Sequence, residues 1–356
     1  MNNTLVKLPF ILLVAGSLVS GILTGWYRLG FDMPVSHVFL HHGALMIGGF
    51  LGTVILIERI VALKQKWLFA FPIVNGCSVL FYFLELPQVS SVCLIIGALG
   101  LFYVFHLINK KHSDSAHKVM WVGATAWFIG NVHLFLFESY GHSILWWMAF
   151  LLITITGERL ELSRFLPVSN IKRVVLIGFL VAFLVGCVIP FHMGGRYLAG
   201  GPMLLVAIWL LRYDMVRKSV KHSGIHRYSA IALIFGYIWL AVSGVLFLFE
   251  GTGSIPYDAL MHAFFLGFVF SMIFAHAPII LPGVVGLKFK PYHASLYVWV
   301  IMLQLTLMAR LGGGFLEIVE MKKWFGFMNG ITIVLFIINL MIVTVRLNRR
   351  SHERNV

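Results

Sequence analysis

Residues 37–59 read HVFLHHGALMIGGFLGTVILIER. Between Val38 and Ile57 the stretch contains no Lys, Arg, Asp or Glu, and it ends on the acid–base pair Glu58-Arg59. About 20 predominantly apolar residues are what a helix needs to cross the hydrocarbon core of a bilayer. The run therefore predicts a membrane-spanning helix with imidazoles at one end and a charged anchor at the other.

Working outward, comparable runs predict twelve spans: 9–29, 36–57, 67–86, 89–109, 119–138, 142–160, 172–191, 197–212, 228–250, 259–281, 293–311 and 325–346. The composition agrees, with 60% hydrophobic and 11% charged residues, against about 45–50% and about 25% in soluble domains. The expectation is a single all-α integral membrane domain covering 1–356. Positive charge in short loops marks the cytoplasmic side. With both termini inside, the inner segments hold 22 of the 27 Lys and Arg residues, and the outer ones hold only Arg28, Arg196, Arg310, Lys322 and Lys323.

The same distribution explains the net charge of +14 without a nucleic-acid partner, which would require the cations on one exposed face. Cys77, Cys93 and Cys187 all fall inside apolar runs and provide neither a disulfide framework nor a haem-attachment motif. The first run has no evident small-residue cleavage site, so it reads as a retained helix.

Internal similarity divides the spans further. Leu-Phe-Leu-Phe-Glu occurs at 134–138 and 246–250, with Trp127 and Trp239 each 11 residues before the Glu. His42 precedes Glu58-Arg59 by 16 residues, as His142 precedes Glu158-Arg159, while His262 has Pro278 in place of the acid. Three pseudo-repeated four-helix units are expected, over about 9–109, 118–213 and 227–346.

Seven of the fifteen histidines fall at the predicted outer side: His37, His41, His42, His133, His142, His192 and His262. Ionisable groups at membrane depth usually face a bundle interior or a functional site, and a neutral imidazole is a common ligand for haem iron, copper and zinc. His37 and His41, spaced i and i+4, would share a helix face, with His42 turned about 100° away. Glu85, Glu138 and Glu250 are carboxylates on the same side, and with Tyr140 they are possible proton donors. His276 lies roughly 21 Å along its helix from His262. It could serve a second centre or simply be a satisfied polar residue. His106, His112, His117, His222, His226, His293 and His352 sit at inner loops or helix ends, where solvated roles are expected. Gly43, Gly48, Gly49 and Gly52 would admit a neighbouring helix or a flat macrocycle. Hydrolytic metal chemistry has no support, since no His-Glu-x-x-His occurs.

The grouping of twelve spans in fours, with outer histidines on the second helices, resembles the catalytic subunit of haem–copper oxidases. The stretch 37–52, with Met261-His-Ala-Phe-Phe-Leu-Gly-Phe, is more similar to the NnrS family of bacterial haem- and copper-containing membrane proteins. The oxidase binuclear motifs are missing: there is no His-Pro-Glu-Val-Tyr on the sixth span, no His-His on the seventh or eighth, and no His-x-His on the tenth. What the NnrS resemblance implies is a protein of the bacterial cytoplasmic membrane that binds haem b and possibly copper and acts in nitric oxide or related diatomic-gas metabolism. His42 and His262 would be the first choices for cofactor ligands, with His37 and His41 next, and His142, His133 and His192 completing a metal site. An oxidoreductase would also need an electron donor. A cofactor-free transporter, or a haem-binding sensor or assembly subunit, remains open on the same residues.

Overall fold

The computed structural model describes residues 4–111, 114–250, 253 and 255–353. His112 lies outside them, as does the side chain of His352. All regular structure among the described residues is helical: α1 (Thr4–Arg28), α2 (Thr53–Leu63), α3 (Ala70–Phe83), α4 (Pro87–Lys111), α5 (Ser115–Phe137), α6 (Tyr140–Leu162), α7 (Asn170–Val188), α8 (Gly195–Tyr213), the single turn α9 (Val216–Ser219), α10 (Gly224–Phe249), α11 (Tyr257–His262), α12 (Ser271–Val285), α13 (Leu296–Phe315) and α14 (Val319–Glu353). Each of the twelve predicted stretches is helical. Eleven are long and apolar enough to cross a membrane, which makes this a multi-pass membrane protein. The exception is α8, where Arg196, Arg212, Pro202 and three glycines dilute the apolar content.

Two spans are not continuous α-helices. A π-helical segment, Ala44–Gly52, runs into α2, and a second, Ala263–Phe270, joins α11 to α12. Such widened turns are rare and concentrate at functional sites. Both are supported in the same manner. Thr53 is the first residue past the first segment, and the Asn75 amide on α3 donates to its hydroxyl and to the Gly48 carbonyl, each at 2.9 Å. Ser271 holds the same place after the second segment, and the Gln304 amide on α13 reaches its hydroxyl at 3.3 Å. Beyond these, α3 and α13 end alike. Glu85 and Glu317 adopt left-handed backbone (φ 58° and 57°) within Phe-Leu-Glu-Leu and Phe-Leu-Glu-Ile, and the next amides close back on Phe81 and Gly313, a Schellman-type stop.

The chain falls into two compact units, residues 1–161 with 283–286, and 162–282 with 287–356. The boundary cuts the second predicted four-helix group, and the packing explains why. In the first unit α5 is held to its neighbours by the Asn131 amide, which donates to the Leu94 carbonyl of α4 and accepts from the Trp147 indole of α6. In the second unit α8 lies against α10 so closely that a Cβ on Gly200 would stand 2.6 Å from the Gly244 carbonyl oxygen, the small-residue contact typical of membrane helices.

The repeated tryptophans mark the π segments. A Cβ on Gly52 would lie 2.2 Å from the Trp127 ring, and one on Gly267 2.4 Å from Trp239. Trp127 is wholly buried and stacked on Phe150 at 4.8 Å, and Trp239 donates to Gln304 at 2.6 Å.

Candidate functional site

In the first unit the outer-side residues do gather at one end, but in separate pairs. His41 is half-buried. Its Nδ1 lies 2.7 Å from the Tyr140 hydroxyl and its ring stacks on Tyr82 at 4.4 Å. His37 precedes the helical part of this span, which begins at Phe39, so it shares no helix face with His41. It is exposed and meets Phe83 edge-on. His133 directs Nδ1 to the His142 carbonyl at 3.2 Å, and the His142 ring stacks on Phe137. Glu138, in left-handed backbone, accepts a hydrogen bond from the Gln88 amide at an exposed position.

His42 faces α1, away from His41 and its partners, as the 100° offset requires. Its Nδ1–H donates to the Gly21 carbonyl at 2.8 Å, with the Thr24 hydroxyl 3.3 Å away. That acceptor assigns the proton to Nδ1 and the lone pair to Nε2. An imidazole anchored through Nδ1 to a carbonyl is how metal-ligating histidines are oriented. The glycines beyond it are not open to a macrocycle. Leu94 stands against Gly48, Ser17 against Gly49 and Trp127 against Gly52, so this face serves helix packing.

The second unit holds an ionic centre where α11 meets α13. His262 donates Nδ1–H to the Asp258 carbonyl at 2.8 Å, one turn earlier on α11, and lies 3.2 Å from the Asp258 carboxylate. Arg310, on α13, grips that carboxylate with two hydrogen bonds of 3.0 and 2.7 Å. Its guanidinium also sits 3.3 Å from both ring nitrogens of His262. Sequence reading passed over Asp258 and counted Arg310 only as an outer charge. The available signal was a lone acid and a lone base in apolar spans, a combination that in membranes means a partner. His192 is exposed on the turn Phe191–Met193, Glu250 accepts from Arg196 through its backbone carbonyl, and His276 returns its Nδ1–H to Met272, one turn back.

The fit to the expected cofactors can be judged on these donor sets. No group of three His, Cys, Asp or Glu side chains that could hold a metal ion occurs among the described residues. At His262 a metal cation would meet the Arg310 guanidinium, and like charges at such separation repel strongly. An imidazole anchored through Nδ1, as His42 is, has the donor chemistry of an axial ligand to haem iron.

No curated protein and no solved structure matches this chain. One family profile does, over residues 7–345. The chain belongs to the family described as a domain of unknown function, DUF8744.

Proposed function

We propose that this protein binds one haem b through His42 and acts on a diatomic gas, nitric oxide in first place, from the outer side of a bacterial cytoplasmic membrane. The observation that carries the reading is the anchored His42 imidazole, whose Nδ1–H is committed to the Gly21 carbonyl. The NnrS-like stretch 37–52 supports it. When bound, haem supplies an iron that takes diatomic ligands and exchanges electrons, with the surrounding polarity tuning both. The chain's own part is to orient His42 through α1 and to place the His41–Tyr140 pair on the adjoining face of the same helix start. Three four-helix repeats of haem–copper oxidase layout are part of this proposal, supported by the matching π segments in the first and third groups. So are the cytoplasmic termini, supported by 22 of 27 cations in the inner segments.

The test is a pyridine haemochrome spectrum with metal analysis on protein purified in detergent from haem- and copper-supplied cells. Stoichiometric haem that is lost in His42→Ala and kept in His262→Ala is the expected result. Haem lost equally in both variants would contradict the single-ligand assignment, and a colourless wild type would overturn the cofactor altogether.

The second reading, a cofactor-free transporter, is favoured by one observation. Distorted helices in corresponding positions of two groups are the mark of a transport pathway, and the second π segment begins beside the Asp258–Arg310–His262 centre. A colourless wild type would put this reading first.

A further inference from the structure

At the opposite end of the second unit, where the Lys and Arg count predicts the cytoplasm, α7 begins, α8 ends and α9 follows. Lys172 and Arg212 both approach the Tyr213 ring, the ammonium at 4.6 Å and the guanidinium at 5.9 Å from its centroid. The Trp209 indole donates to the Lys172 carbonyl at 2.8 Å, which fixes the start of α7 against the end of α8. Arg217 reaches back to the Arg212 carbonyl at 3.0 Å. Lys172, Arg212 and Arg217 are exposed, and none of them pairs with a carboxylate among the described residues. Asp214, the acid closest in sequence, is buried and accepts from the Val216 amide.

A loop that only obeyed the positive-inside rule would need cations, without any fixed arrangement of them. Here two are held over one amphipathic ring, and a third is bonded to the same helix end. Towards the helix interiors, α7 and α8 carry the exposed apolar side chains Val174 and Ile208, 65% and 50% exposed, and Ile171 is bare beside Lys172 at the start of α7. A phosphate bonded by fork-shaped and point-like cations, continuous with an apolar flank, is the chemistry of a phospholipid.

We propose that this corner of α7, α8 and α9 is a binding site for an anionic phospholipid. Lys172, Arg212 and Arg217 take the phosphate, Tyr213 sits at headgroup level, and the acyl chains lie along Val174 and Ile208. Basic pockets between membrane helices on the cytoplasmic side recognise such headgroups. The site shares no residue with the haem or transport reading.

The experiment uses the full chain in detergent, with phosphatidylglycerol, phosphatidylcholine or inorganic phosphate added, read by native mass spectrometry and by thermal unfolding. The expected result is a phosphatidylglycerol adduct that survives activation better than phosphatidylcholine and raises the unfolding temperature. It should bind about 100-fold more weakly in the triple variant Lys172→Gln, Arg212→Gln, Arg217→Gln, at roughly a factor of 5 per cation. Lys322→Gln, Lys323→Gln, at the other end of the chain's spans, should bind as wild type. The single variant Lys172→Gln, at an exposed position, gives the same direction at smaller size should the triple variant fold poorly. Equal retention of both lipids, or retention unchanged in the variants, would overturn the proposal. Inorganic phosphate giving the full thermal shift by itself would also overturn it, because the ligand would then be a free anion.

Discussion

Arg310→Ala will unfold the second unit far more easily than the wild type. Arg310 is 6% exposed and makes both of its strong hydrogen bonds to one carboxylate, on a helix 52 residues earlier in the chain. Removing it strands Asp258 at the mouth of an apolar bundle. Breaking a buried ion pair from one side costs about 3–5 kcal/mol, because the remaining charge keeps only the His262 imidazole beside it. Replacing both partners together costs much less, since no charge is then left behind. Unfolding of detergent-solubilised Arg310→Ala, Asp258→Asn and the double variant gives the coupling directly. A double variant as damaged as the sum of the two singles would show that the pair is not coupled.

The second large effect is expected at the other end of the first unit. There the two repeated Glu-Arg pairs meet, and they meet crosswise. The Arg59 guanidinium bonds to the Glu158 carboxylate of α6 as well as lying near its own neighbour Glu58, and it covers the Phe105 ring of α4 at 5.8 Å. One side chain thus joins α2, α4 and α6. Its side-chain exposure of 16%, with 22% for Glu158, leaves some solvent screening. About 2–3 kcal/mol is therefore a better expectation for Arg59→Ala than the full cost of a dry pair. Exchanging the two residues, Arg59→Glu with Glu158→Arg, should recover part of the loss. The same thermal measurement checks it, and no recovery on exchange would assign the effect to packing on Phe105 instead.

The helices were legible because the signal for each is local: some 20 apolar residues bounded by charge need no knowledge of the partner. The Trp127 and Trp239 repeat was legible for the same reason, and it located the two side chains that press on the π segments. The segments themselves were not, since one residue of widening leaves composition untouched and alters only which carbonyl an amide reaches. The site was read less well. Seven imidazoles at one predicted level suggested convergence, but in the first unit His37, His41 and His142 each meet an aromatic neighbour, Phe83, Tyr82 with Tyr140, and Phe137, in place of a common centre. Asp258 and Arg310 needed information that a linear sequence withholds, namely that α11 and α13 touch.

The π segment at Ala44–Gly52 also works as a register clutch. A residue removed from it would be absorbed, because the widened turn could relax to an ordinary α-helical one with every amide still bonded. An amide that bonded five residues back would, with one residue gone, bond the same carbonyl four residues back, so the residues on either side would keep their faces and His42 would still meet the Gly21 carbonyl. A residue removed from an ordinary α-helical turn between His42 and α2 would instead swing everything N-terminal of it about 100° around the helix axis and take His42 off that carbonyl. The spare residue therefore lets this span shorten by one without losing the face that His42 turns to α1.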